Sequence, residues 1–276
     1  LFAGARLRLP GELRLFAAGP AVLPLTPVSG AAYTQTATPF QPLPTSSPTA
    51  TLTPTHTVTS SPTATFTPLP SSTPLPPTAT DAPLYPLPDG LPGEAQIEGL
   101  HGYAQTYNLT CEARSAVDWA RFFGANISEM EFQAALPLSD NPKLGFVGYY
   151  DDPMGRLPPL AYGVYAAPVA QTLAGFGVDA AAVSGYSLND LRRQVASDNP
   201  VIVWVVGNTW WGGTPVDYRA EDGTTVTVVR YEHTVILIGY DAYGVMLVDG
   251  GQVYWRSYDT FLASWAVLGN MAVIRQ

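Results

Sequence analysis

The chain of 276 residues carries 22 acidic against 13 basic side chains, a formal charge of −9. Lys and Arg are nowhere clustered, so the phosphate-neutralising surface that nucleic-acid binding requires is missing and nucleic acid is not expected as a partner. No apolar run approaches the ~18 residues of a membrane-spanning helix, because the best N-terminal stretch, 15–25, is broken by Pro20 and Pro24.

Composition divides the chain into three. Residues 1–25 place Arg6, Arg8 and Arg14 ahead of that short apolar run and begin at Leu1, which suggests the remnant of a signal or anchor. Residues 26–85 are almost wholly Thr, Ser, Pro and Ala and bury too little apolar surface to offset their ordering entropy. They are expected to form a disordered linker. At about 3.1 Å per residue in a polyproline conformation it would reach up to ~190 Å. Such stalks are usual in exported proteins, so an extracellular or cell-surface bacterial location is expected, with attachment through the N-terminal region. Residues 86–276 hold all 6 tryptophans and the 1 cysteine. They are expected to form one globular domain, and a monomer.

In CEARSAVDWARFFG, the residues Ala113, Ala116, Val117, Ala120 and Phe123 recur at helical spacing. Asn108 and Thr110 are both candidate N-caps, Glu112 suits the first turn and Gly124 ends the helix. Further helices are expected over 128–135, 168–176 and from Ser187 to about Ser197. The later half turns to β-rich runs: 201–206, 225–231, 233–240 and 245–250. Helices first and strands afterwards indicate an α+β domain with an antiparallel sheet.

Cys111 falls at a helix N-terminus, a position that favours the nucleophilic thiolate. The competing reading is a buried cysteine acting as a small hydrophobe. Of the three histidines, His56 lies in the linker and His101 in a loop, whereas His233 opens the most apolar run of the chain, the mouth of a central strand. That strand turns through residues 240–244 into GVMLVDG. If Gly239 faces Val245, Val235 faces Asp249 and His233 is its diagonal neighbour; a slip of two residues makes the pair directly opposite. Either register leaves their β-carbons about 5–8 Å apart, near enough for a carboxylate to orient an imidazole. Asp249 before Gly250 and Gly251 also reads as a plain turn residue. Gln105, in the loop before the helix, is a candidate amide donor to an oxyanion, or simply a solvated side chain.

With QTYNLTCEARSAVDWARFFG at one end and YEHTVILIGYD followed by VDG at the other, the domain resembles the C39-like group of papain-fold cysteine peptidases. The likeness takes in ISEMEF, PVIVWVV and the SW-x-x-LGNMAV ending, from about Ile97 to Val273. It implies a papain-like fold and a peptide or protein substrate. It also implies roles: Cys111 as nucleophile, His233 as general base and then acid, Asp249 orienting the imidazole, and Gln105 with the Cys111 amide as oxyanion hole. Bacteriocin-processing members have Cys-Gly at the nucleophile and a fused ATP-driven transporter. Here Cys111 is followed by Glu112 and no ATPase motif occurs, so the resemblance points to stand-alone, surface-attached members.

The expected activity is therefore extracellular hydrolysis of a peptide or isopeptide amide through a cysteine acyl-enzyme. The alternatives are transpeptidation by the same triad, or a catalytically silent module binding peptide or cell-wall material through Trp210, Trp211, Tyr149 and Tyr150. No cofactor is expected. No metal site is expected either, since one cysteine and three scattered histidines offer no ligand cluster at useful spacing.

Overall fold

A computed structural model describes residues 85–276. The expected N-terminal segment, 1–25, and all but the last residue of the expected linker, 26–85, lie outside the described residues.

The chain order is β1 (Ala95–Gln96), α1 (Cys111–Phe122), α2 (Glu129–Ala135), α3 (Ala166–Gly175), β2 (Ala181–Val183), α4 (Leu188–Ala196), β3 (Val201–Val206), β4 (Pro215–Arg219), β5 (Thr225–Val229), β6 (Glu232–Tyr240), β7 (Gly244–Asp249), β8 (Gln252–Ser257), α5 (Tyr258–Ala266) and β9 (Ala272–Ile274). The main sheet runs β2-β9-β3-β6-β7-β8 with every pairing antiparallel, and β1 pairs with the far end of β6. The α+β class expected from the order of patterns is the class observed. The run at 225–231 departs from a simple reading: β5 pairs with β4 in a separate two-stranded ribbon.

Successive side chains of a strand point to opposite faces, and all six residues of β3 are fully buried, so helices must cover both faces of the sheet centre. One cover is α1, whose Trp119 Nε1 donates to Pro200 O at 2.7 Å and whose Ser115 hydroxyl meets Thr234 of β6. Helix α5 docks on β3 through Ser264, which accepts from Val206 N–H at 2.8 Å. Helix α4 begins with a reciprocal capping box of Ser187 and Asp190, at the start expected from its sequence. Its buried Arg192 donates to the carbonyls of Tyr85 and Pro86, both at 3.2 Å, and so fixes the start of the described chain.

The β6–β7 hairpin decides the geometry of the site. Near the turn Tyr240 pairs with Val245 and Gly239 with Met246, one step away from the expected Gly239–Val245 pairing. A bulge at Ile238 absorbs one residue, and from Leu237↔Leu247 and Ile236↔Val248 onward the expected register holds. Continuing it brings Asp249 alongside Val235, with His233 as the diagonal neighbour.

Candidate active site

Helix α1 starts at Cys111 as expected, but neither proposed cap acts through its side chain. Thr110 occupies the N-cap position without a capping bond, and its hydroxyl donates to Glu129 Oε1 at 2.5 Å. Asn108 Nδ2 instead donates to Asp151 O at 3.1 Å. Glu129 gathers the approach to the helix: its carboxylate also accepts from Thr106 N–H and Thr106 Oγ1, each at 2.8 Å, and pairs with Arg114 at 3.3 Å. The N-cap residue thereby leaves the first turn of the helix without a side-chain cap.

That cavity, about 250 Å³, brings Cys111, His233 and Gln105 together, with Asn108, Met154 and Glu232 also in its wall. His233 Nε2 lies 2.7 Å from Asp249 Oδ1. With Nε2 engaged, Nδ1 is the ring nitrogen left for proton transfer. Tyr254 Oη donates to the other carboxylate oxygen of Asp249 at 2.8 Å. Burial alone would raise the Asp249 pKa, but the His233 hydrogen bond and charge, with the Tyr254 bond, bring it below its ordinary value. Gln105 Nε2 gives both amide hydrogens to the loop, to Tyr107 O at 2.7 Å and Asn108 O at 3.0 Å. His101 is exposed and does not line the cavity.

Sequence reasoning missed two carboxyl groups. Glu112, read as a helix-dipole residue, is buried: Oε1 accepts from Val164 N–H at 2.7 Å and Oε2 accepts from the Cys111 thiol at 3.2 Å. Glu232, the residue just before His233, has both carboxyl oxygens inaccessible and without any hydrogen-bond partner. Burial, then the Glu112 charge, pushes the Glu232 carboxyl well above its ordinary range. Burial also raises Glu112, against the opposing bond from Val164. The expected lowering of the Cys111 thiol by the helix N-terminus is therefore overridden: burial, Glu112 and Glu232 together raise it well above its ordinary value. In this arrangement the thiol is a hydrogen-bond donor to Glu112. The only signal available in the sequence was the position of each glutamate next to a proposed catalytic residue.

Residues 92–273 match the Peptidase_C39 like family. The chain belongs to that family. As a C39-like cysteine peptidase it has the papain-like fold its sequence implied. A solved protein from Bacillus anthracis assigned to the C39-like peptidases is similar at 21% identity and a TM-score of 0.58, covering 66% of this chain and 97% of that one. The peptidase domain of Streptococcus ComA, a bi-functional ABC transporter of a quorum-sensing pathway, gives 13% identity and a TM-score of 0.39, covering 64% of this chain and 98% of that one. Xylellain, a cysteine protease from Xylella fastidiosa, gives 14% and 0.38, with 70% and 90% covered. No curated protein matches the chain.

Of the aromatics considered for a binding groove, none lines the cavity in front of Cys111, although Trp211 lies with its ring centroid 6.2 Å from that of Tyr231, which does. Tyr149 and Tyr150 line a separate cavity with Met130 and Phe146, and Arg256 stacks on Trp210 at 4.1 Å. A larger cavity of about 530 Å³ between α3, β2 and the end of α5 is lined by neither cysteine nor histidine.

Proposed function

We propose that this C39-like peptidase cleaves peptide or isopeptide amides outside the cell through a thioester at Cys111. The observation that carries the catalytic reading is the Asp249–His233 pair, which commits Nε2 and leaves Nδ1 free in the cavity that Cys111 lines. The extracellular location is supported by the Thr/Pro/Ser-rich composition of residues 26–85.

The reaction begins with the thiol turning from Glu112 toward His233, whose Nδ1 takes its proton as sulfur attacks the scissile carbonyl. The oxyanion is held by the Cys111 amide at the uncapped helix start, joined by Gln105 once a Gln105 amide hydrogen leaves its loop carbonyl. Collapse of the tetrahedral species breaks the C–N bond, and the imidazolium gives its proton to the departing amine. Water then attacks the thioester, His233 takes a proton from it, and the acid product leaves as that proton returns to sulfur. Asp249 stays ionised and orients the ring.

Hydrolysis of a fluorogenic peptide library by the full chain tests this. Cys111→Ala and His233→Ala should each lower kcat/KM by roughly 10³-fold or more. Turnover that survives Cys111→Ala would refute the reading.

A further inference from the structure

A fully buried carboxyl group with no partner demands an explanation, because its desolvation is uncompensated by any hydrogen bond. Glu232 is such a group, and it is not isolated. Its carboxyl, the Glu112 carboxyl and Cys111 Sγ offer three ligand atoms that all lie within 4.8 Å of one another. Cys111 is 7% exposed and Glu112 1% exposed, so water competes little for these atoms. The cavity that Cys111 and Glu232 line lies beside this cluster, although both Glu232 carboxyl oxygens are closed off from it.

We propose that Cys111 Sγ, Glu112 and Glu232 form a site for a thiophilic divalent cation of the zinc class, which masks the nucleophile until the ion is removed. The geometry is close to what such an ion needs. Neighbouring sulfur and oxygen ligands of a tetrahedral zinc are about 3.6 Å apart, from Zn–S and Zn–O bonds of roughly 2.3 and 2.1 Å. Sγ and Glu112 Oε2 are 3.2 Å apart, so sulfur needs to move by only about 0.4 Å, and the Glu232 carboxyl, within 4.8 Å of both, to draw in by at most about 1.2 Å. A thiolate and two carboxylates outweigh the ion's charge by one unit.

Burial and like charge disfavour every ionised form of this cluster without a cation; a bound dication reverses that preference for all three groups together. Binding exchanges protons for metal: the thiol loses its proton, Glu232 loses its own, and two or three bonds to the ion form in their place. The ion also occupies the sulfur lone pair that would attack the substrate. This consequence for activity rests on Cys111 being the nucleophile, whereas the binding itself does not.

The test is a titration of the full chain with cadmium chloride, following the ultraviolet thiolate-to-cadmium charge-transfer absorption. One equivalent should saturate the band, zinc chloride should compete for the site, and either ion should block iodoacetamide modification of Cys111. Glu232→Gln should weaken cadmium binding at least tenfold, in line with the loss of a metal-supporting carboxylate. An unchanged affinity in Glu232→Gln, or a band that persists in Cys111→Ala, would overturn the proposal. A proton count on the wild-type chain decides the matter even if that variant fails to fold. Zinc calorimetry in buffers of different ionisation enthalpy should find about two protons released per ion, one from the thiol and one from Glu232. Release of about one would mean that the thiol binds without Glu232, and would overturn the site. Absence of any band would do the same yet leave the peptidase reading standing, since that reading falls only if peptide hydrolysis survives Cys111→Ala.

Discussion

Replacing Glu232 by Gln keeps the shape of the side chain and removes its charge, which isolates the effect of burying that carboxyl. Below its ordinary value of 4.5 the folded and unfolded chains both hold the Glu232 proton, and stability is insensitive to it. Above 4.5 the unfolded chain releases the proton while the folded chain keeps it. Stability then falls by about 1.4 kcal/mol per pH unit until the raised folded pKa is reached. Between pH 5 and pH 7 this removes up to roughly 3 kcal/mol, a large part of the 5–15 kcal/mol that holds an ordinary domain together. The depressed carboxyls Asp249, Asp190 and Asp222 do not mask the effect: they stabilise above their ordinary 3.8 and lose that contribution only as pH falls below it. Urea unfolding followed by tryptophan fluorescence at pH 5, 6 and 7 measures the slope. Glu232→Gln should flatten it by about one proton and be the more stable protein at pH 7. Parallel curves for the two proteins would show that Glu232 is ionised when folded and would refute the reasoning.

Asp249→Asn removes the charged acceptor of His233 while Tyr254 can still bond the amide. A charge-assisted bond contributes about 1.5–3 kcal/mol, so kcat on peptide substrates should fall roughly 10- to 100-fold with KM little changed. Gly163→Ala should destabilise the domain by about 2 kcal/mol in urea unfolding and alter the rate of Cys111 alkylation. Gly163 sits at φ +130°, and a β-carbon there would lie 2.2 Å from Glu112 Oε1 and 2.8 Å from Glu232 Oε2.

The parts of the fold that announced themselves in the sequence are those whose signals are local. Ser187 and Asp190 wrote their own capping box, and the apolar run after His233 became the wholly covered middle of the sheet. Even the His233–Asp249 approach could be estimated, since a hairpin's register follows from its turn; the bulge at Ile238 has its mark in the adjacent Gly239, a glycine inside an apolar strand run. Strands β2 and β9, three residues each, carry too few side chains to show a period, and α5 mixes aromatic and small residues in a pattern that does not separate a helix from a strand. Thr110 looked like a cap because caps are judged from neighbours in sequence, but the stronger acceptor is Glu129, which only the folded chain brings within reach. Glu112 and Glu232 escaped for the same reason. Their meeting at Gly163 joins three distant segments, and nothing in any one of them marks a buried acid.

The grip of Arg192 on the Tyr85 and Pro86 carbonyls has a mechanical meaning. A pull delivered through the residues before Tyr85 first loads these two hydrogen bonds, then the two-residue strand β1, which pairs with Gly239 and Tyr240. His233 stands six residues away along β6, about 20 Å at strand rise. Between them β6 is held by β3 on one side and β7 on the other. Peeling β1 therefore acts as a fuse: tension is released at the far end of β6 before it reaches the strand segment that carries the imidazole.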